Sequence, residues 1–204
     1  MSSQNYITQS CCIRQNTVLK NGQQSFESRD TDVPDFLLAA YQSLDTKYPK
    51  FYKMDNLSKL GWLAAEQLLT GFSADKYAKE DIGVVLSNAS ASLDTDIKYY
   101  ETAKDIASPA LFVYTLPNIV TGEICIRHGF KGENAFFITE QFDSAFTEQY
   151  VNNLINNNIL QACICGWVEL LGDQYKAVLY LVEKQPEANS IPFTTENITN
   201  IYQL

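Results

Sequence analysis

The side chains in this sequence that can act as nucleophiles, bases or metal ligands are few and scattered. The five cysteines are Cys11, Cys12, Cys125, Cys163 and Cys165, and the single histidine is His128. A thiol attacks only as a thiolate, and a catalytic thiol needs a basic partner or a helix N-terminus beside it. Cys163 and Cys165 lie in the apolar run LQACICGWVELL, where strand alternation puts both sulfurs on one face. A tetrahedral metal site needs more ligands than that, and the histidine is distant in sequence, so buried structural cysteines are expected and no metal. Cys125 sits between Ile124 and Ile126, as a packed helix residue does. An odd cysteine count with no paired framework reads as reduced thiols in a cytoplasm.

Two further groups have side chains suited to binding. Ser87, Asn88, Ser90 and Ser92 follow an apolar run at the point where α/β proteins usually place ligands, but no glycine-rich phosphate fingerprint accompanies them and no cofactor is expected. Asp143 and Ser144 stand where a polar helix begins, and their oxygens suit the free amides of its first turn.

The elements that must position these groups come from a chain of 204 residues, 46% apolar and 19% charged, enough to bury a core. A formal charge of −9, from 15 Lys plus Arg against 24 Asp plus Glu, argues against a nucleic-acid partner. It also weighs against unaided docking of an acidic carrier protein, leaving only indirect carrier contact. No basic, apolar leader opens the sequence, and no apolar run approaches the roughly 20 residues of a membrane span, so a soluble cytoplasmic protein is expected.

Tyr6 to Thr17 is rich in strand formers, and Asn21-Gly22 marks a hairpin turn. Pro34 opens a helix with Phe36, Leu37, Ala40, Tyr41 and Leu44 on one stripe, ending near Lys47. In FYKMDNLSKLGWLAAEQLLTGF, Leu57, Leu60, Ala64 and Leu68 make a second stripe that Gly71 stops. A buried strand is predicted at Ile82 to Leu86 and a loop and helix over 108–130, ending at Gly129. Then follow a strand at Ala135 to Thr139, a helix from Asp143 to Asn157, and strands at Leu160 to Leu170 and Tyr175 to Val182. Residues 1–184 are read as one domain and 185–204 as a polar tail with little fold of its own. Alternating strands and helices imply an α/β fold, a mostly parallel sheet flanked by helices.

Three stretches carry a resemblance. Lys53-Met54-Asp55 leading into LSKLGWLAAEQLL comes first. Ser108-Pro109 through Leu116-Pro117-Asn118 comes next and runs on to Ile126-Arg127-His128-Gly129-Phe130-Lys131-Gly132. The last is Cys165-Gly166-Trp167-Val168-Glu169. Together they resemble, in order and spacing, the N-terminal half of a β-ketoacyl synthase of the thiolase superfamily. The resemblance implies a thiolase-like fold with half of the usual duplication, and a broad apolar sheet face that an obligate partner would cover.

The family's nucleophilic cysteine follows the K-G-x-N turn and strand. Counting forward from Gly132, that elbow falls at Gln141, and an amide cannot be acylated as a thiol is. Glutamine at this place resembles the chain-length-factor subunits that pair with an active ketosynthase; equally, it fits an elbow where selection on the nucleophile has lapsed. The family's second-half histidines and lysine have no counterpart here. His128 falls where the family tolerates Tyr or Phe and is expected to be structural.

By resemblance, Phe112, Tyr114, Leu116, Asn118 and Ile119 fall in the segment that lines the acyl tunnel, or else pack as ordinary core. Ala135, Phe136, Phe137, Ile138 and Thr139 fall on the strand that pairs with its mate across the dimer twofold. The function implied is a non-catalytic ketosynthase-like subunit in fatty-acid-like or polyketide-like synthesis, either a homodimer or a heterodimer with an intact ketosynthase. The alternatives are an acyl-chain or small-molecule binding homodimer, and an acyltransferase using another cysteine or a partner's residues.

Overall fold

The computed structural model describes residues 4–29 and 32–204. Strand β1 (Tyr6–Arg14) is rich in β-branched and aromatic residues, and it stops at Gln15-Asn16, where both residues take positive φ of 46° and 58°. The Tyr175 hydroxyl clamps this turn, accepting from Asn16 N at 2.7 Å and lying 2.6 Å from Asn16 Oδ1. The chain returns as β2 (Thr17–Lys20), turns again at Asn21-Gly22, and continues as β3 (Gln23–Glu27). The second turn is the Asn-Gly hairpin visible in the sequence; the first, built on Gln-Asn, has a weaker signature.

Asp32 caps α1 (Val33–Gln42), its side chain accepting from Asp35 N at 2.9 Å. The helix ends several residues before Lys47 because Tyr41 turns inward. Its ring stacks on Phe51 at 4.2 Å and its hydroxyl accepts from Tyr48 N at 2.7 Å, which pulls the chain back onto the core. Asp55 caps α2 (Asn56–Leu69) by accepting from Ser58 N at 2.9 Å, and Leu57, Leu60, Ala64 and Leu68 are all buried, as the stripe predicts.

Every residue of β4 (Ile82–Asn88) is buried. A tight turn leads to α3 (Leu93–Ala103), whose large apolar side chains Leu93, Ile97 and Tyr100 face solvent. The short α4 (Pro109–Phe112) and then α5 (Ile119–His128) follow, with Gly129 closing α5 at φ 70°. Next come β5 (Asn134–Ile138), α6 (Ser144–Asn156), β6 (Ala162–Leu171), a Gly172-Asp173 turn and β7 (Gln174–Glu183).

The strands form one sheet in the order β3-β2-β1-β7-β6-β4-β5. β1, β6, β4 and β5 run in one direction and β7 opposes them, because β7 is antiparallel to both of its neighbours. Parallel ladders occur only on the two sides of β4, so the sheet is mixed where a mostly parallel one was expected. The long β6–β7 hairpin accounts for this. Its two-residue turn joins antiparallel strands, whereas a parallel pairing needs a crossover of a dozen residues or more.

The expectation of a polar tail over 185–204 is also corrected. Ile191–Pro192 forms β8, paired with Tyr6–Ile7 of β1, and α7 runs from Thr195 to Gln203 behind a Thr194 cap. Phe193 and Ile198 are 0% exposed. The polar letters of α7 hid it, since few apolar side chains suffice when each reaches the core. This segment also removes the need for a partner over the sheet's second face. Helices α1, α2 and α5 cover one face, and α6 with α7 covers the other over Cys12, Cys163, Cys165, Val178 and Tyr180. The Tyr180 hydroxyl donates to Ile198 O at 2.9 Å, and Glu148 Oε2 accepts from both Thr195 N and Thr195 Oγ1 at 2.5 Å.

Replacing Phe193 with alanine removes a fully enclosed ring from this second core and should lower the unfolding free energy by about 3–5 kcal/mol. Urea unfolding followed by far-ultraviolet dichroism checks it. A change within a few tenths of a kcal/mol would mean that the C-terminal segment does not cover the sheet.

Candidate functional site: the elbow after β5 and the open sheet edge

The turn from β5 into α6 is held from both ends. Thr139 N donates to Asn88 O at 2.9 Å, continuing the β4–β5 ladder past Ile138, and Thr139 Oγ1 donates to Gln141 O at 2.9 Å. Phe142 turns inward, stacking on Tyr202 of α7 at 4.6 Å and meeting Trp167 edge-on at 6.0 Å. Gln141 between them is exposed, on an open depression of ≈ 630 Å³ lined only by the elbow's own residues, 138–145.

One of the helix amides that would favour an anion here is taken by a carboxylate. Asp143 Oδ1 accepts from Phe146 N at 2.8 Å, so capping is its role, and a fixed carboxylate at the start of α6 opposes any second negative charge. Ser144 pairs instead with Thr199 of α7, oxygen to oxygen at 2.7 Å.

The loop after β4 is filled in the same way. Asn88 bonds reciprocally with Ala91, its Nδ2 donating to Ala91 O at 2.9 Å and its Oδ1 accepting from Ala91 N at 3.0 Å. The amides of Ala89 and Ser90 point at one oxygen of Glu169, at 2.6 and 3.2 Å. Ser92 Oγ donates to Thr115 O at 2.9 Å. Ser87 Oγ donates to Gly166 O at 3.3 Å, so the side chains of Ser87, Asn88 and Ser92 are all engaged within the chain. A carboxylate at the end of β6 sits where a phosphate would.

The glycines of the resemblance have steric causes. Gly166 takes φ 146°, and a Cβ there would stand 2.0 Å from Val178 O; at Gly132 it would stand 2.5 Å from Ile82 O. Met54 and Asp55, in the first stretch, serve as a core residue and a helix cap.

Burial raises all five thiols above their ordinary value, outweighing Lys20 near Cys11 and Lys176 and Arg14 near Cys12. Cys163 and Cys165 share one face, under α6 and α7, and burial raises both thiols well above their ordinary value. Cys125 is half-buried on α5, and burial pushes its thiol up to about 11. His128 Nε2 lies 2.9 Å from Glu66 Oε1, and its ring stacks on Phe130 at 5.2 Å. Arg127 Nε donates to the same Glu66 oxygen at 3.0 Å. Burial works against the Glu66 charge, but contacts with His128 and Arg127 win and hold that carboxyl below its ordinary value. The cluster ties α5 to α2. Among the described residues no group of acids, histidines and cysteines is arranged to hold a metal.

The five tunnel candidates divide between core and solvent. Tyr114 is buried, its hydroxyl donating to Glu123 Oε1 at 3.2 Å, and Ile119 packs against the main core. Phe112, Leu116 and Asn118 are exposed, and Asn118 O accepts from Thr121 Oγ1 at 2.6 Å. In the isolated chain they do not form one lining.

On the proposed seam, β5 is the last strand of the sheet, bonded on one side only, to β4. Glu133 O and Thr139 N face β4, so by the two-residue period Ala135 and Phe137 do too, while Phe136 and Ile138 offer their N–H and C=O at the open edge. Phe137 also packs inside its own chain, with Phe146 at 4.9 Å and Tyr150 at 5.0 Å.

Comparison of the sequence with protein-family models and with curated proteins finds no match. Solved structures do match. The ishigamide ketosynthase/chain length factor aligns with TM-score 0.68 and 15% identity, over 93% of this chain and 64% of that one. A type II polyketide synthase acyl-carrier protein in complex with its ketosynthase bound to the hexaketide, AntDE:AntF, gives 0.62 and 15%, over 90% and 64%. The ketosynthase ApeO in complex with its chain length factor ApeC, from Xenorhabdus doucetiae, gives 0.61 and 12%, over 98% and 90%. This chain therefore has the thiolase-like, ketosynthase-type fold, and it spans about two thirds of the length of the first two matches.

Glu169 as an internal plug, the Glu66–Arg127–His128 cluster and α7 as a lid escape sequence reading, because each joins residues far apart in the chain. No helix among the described residues is long and apolar enough to cross a membrane.

With a thiol at about 11, Cys125 is a thiolate at pH 8 in only roughly one molecule in a thousand. Its alkylation by iodoacetamide should rise about tenfold per pH unit from pH 8 to 10 without a plateau. Mass spectrometry of the modified peptide reads this, and a plateau near neutral pH would restore Cys125 as a candidate nucleophile.

Proposed function

We propose that this chain is a non-catalytic, ketosynthase-like accessory subunit that binds an intact ketosynthase in fatty-acid-like or polyketide-like synthesis. The observation that carries the reading is the elbow. In a ketosynthase-type fold it presents the Gln141 amide, beside a carboxylate that discourages an anion, with no thiol or histidine in reach.

Length supports the same reading. The chain covers 90% of a chain from the complex of ApeO with its chain length factor, against 64% of the first two matches, so a protein of nearly this size stands in a ketosynthase complex. Gln141 would then fill the nucleophile's place. The carrier protein is met through the ketosynthase partner, since this chain is acidic overall. β5 is the seam. Its open edge has outward N–H and C=O groups at Phe136 and Ile138 ready to pair with a strand of the partner.

Phe137→Lys is a poor test of that seam, because the ring packs against Phe146 and Tyr150 of its own chain. Ile138→Pro is cleaner: it removes an N–H from the open edge and leaves the ladder to β4 intact. An affinity pull-down from the native cell with the wild-type chain should recover a ketosynthase in stoichiometric amount, and Ile138→Pro, folded by dichroism, should lose it about tenfold or more. Recovery of a lone homodimer holding a copurified lipid would overturn the reading in favour of acyl binding.

A further inference from the structure

We infer that the break in the sheet between β2 and β8 is a binding site for a small, uncharged aliphatic amide, held through its carbonyl oxygen by Ser10 and Asn21. The site lies away from the β5 edge, with β7, β6 and β4 between them, and the inference does not use the accessory-subunit reading.

Strand β1 is shared by two partners on its outer side. β8 pairs with Tyr6 and Ile7, and β2 with Cys11 to Arg14. Thr8, Gln9 and Ser10 have neither, and at about 3.3 Å per residue they leave a break of roughly 10 Å. A register shift falls at the same place, between Ile7 and Gln9, where a bulge re-aims the chain. Over the break opens a cavity of ≈ 660 Å³, within the usual range of small-molecule sites. It is lined by the break itself, by the Asn21-Gly22 turn, by the loop entering β8 and by the C-terminal end of α7.

An added strand does not suit this opening. Ser10 N donates to Asn21 Oδ1 at 2.8 Å, and Ser10 O accepts from Asn21 N at 2.9 Å. With both main-chain groups taken, Ser10 has no ladder to offer, and side chains are left to do the binding. Ser10 stands two residues from Cys12, on the face that α7 covers, and is only 8% exposed. Its hydroxyl has no hydrogen bond among the described residues. A hydroxyl at that depth is costly without a partner, and a guest that accepts from it removes the cost. Because Asn21 Oδ1 is committed to Ser10 N, the donor end of that carboxamide, Nδ2, is the end left over. Both groups can donate to one carbonyl oxygen.

The rest of the lining selects the guest. No acidic, basic or aromatic residue belongs to it. A phosphate or carboxylate finds no counter-charge, since Lys20, next to Asn21, donates to Thr70 O instead. The Glu183 carboxylate, which Thr8 reaches at 2.5 Å, is 1% exposed and also accepts from the Tyr77 hydroxyl at 2.7 Å, so it offers nothing to a cation. A sugar or a nucleobase finds no ring to stack on. Ile191 and Leu204, 37% and 42% exposed, present aliphatic surface to an apolar arm. What matches is a neutral molecule with an amide carbonyl at one end and a branched aliphatic group at the other.

The probe is N-acetylleucinamide, titrated into the full chain and followed by two-dimensional amide NMR. Saturable shifts should be confined to residues 7–10, 21–23, 188–191 and 201–204. N-acetylleucine, the same body ending in a carboxylate, should bind at least about tenfold more weakly at neutral pH. Ser10→Ala should weaken the amide about fivefold without lowering the thermal melt, because its hydroxyl has no partner in the chain to lose. Leu204→Lys, at an exposed position, should weaken it as much, and it carries the test should Ser10→Ala lose its dichroism. The inference is overturned by an absence of saturable shifts, by shifts centred elsewhere, or by equal binding of the carboxylate. Wild-type affinity in Leu204→Lys, or in a folded Ser10→Ala, overturns it too.

Discussion

A sheet with strands buried on both faces must be covered on both. In this chain β4 is buried throughout, and β6 and β7 nearly so, which puts alternate side chains of the same strands into two separate cores. The first core is built by α2, whose stripe meets β1, β6 and β7, with α5 beside it. The second depends on α6 and on a nine-residue C-terminal helix anchored by Phe193, Ile198 and Tyr202. Without that helix, Tyr180, Cys165 and Val178 would lie under α6 alone. The sheet is thus closed on both faces by helices of its own chain.

The same anchoring shapes the elbow. Phe142 stacks on Tyr202, so the turn that in the resembled enzymes presents a nucleophile is here fastened to the helix closing the second core. Around it, two places where backbone amides converge have each received an internal carboxylate: Asp143 at the start of α6 and Glu169 at the turn after β4. Amides satisfied internally are not available to stabilise a thiolate or an oxyanion, and the fixed charges repel one. Local electrostatics and the Gln141 amide therefore point the same way. The elbow is fastened to α7 through Phe142 and Tyr202 and through Ser144 and Thr199.

Much of this was legible residue by residue. The strands around β4, the α2 stripe, the Asp143 cap and the paired sulfurs of β6 follow from periodicities that depend only on near neighbours. What escaped was decided at a distance. The end of α1 is set by Tyr41 reaching Tyr48 and Phe51, and the place of β7 between β6 and β1 by pairing with the N-terminal strand. Helix α7 is set by three apolar side chains in a polar string. Helix α3 escaped for the opposite reason. Its apolar residues are periodic, at 93, 97 and 100, but they face solvent, and a stripe is read as buried by default. Of the site, Gln141 was locatable only through the resemblance, while Glu169 as a plug needed the fold.

The fold has kept its edge: β5 ends the sheet with its outward backbone groups unpaired, and nothing in the strand blunts it except the acidic residues at its two ends. Charges at the ends of an edge strand are the usual guard against pairing with a copy of the same chain. They also leave the edge open to a partner whose own ends are basic. The chain closes its second face with α7, sets a carboxylate against backbone amides at two turns and carries an unpaired edge at β5. Any strand could satisfy the backbone groups of such an edge, so discrimination between partners would fall to the charges that flank it.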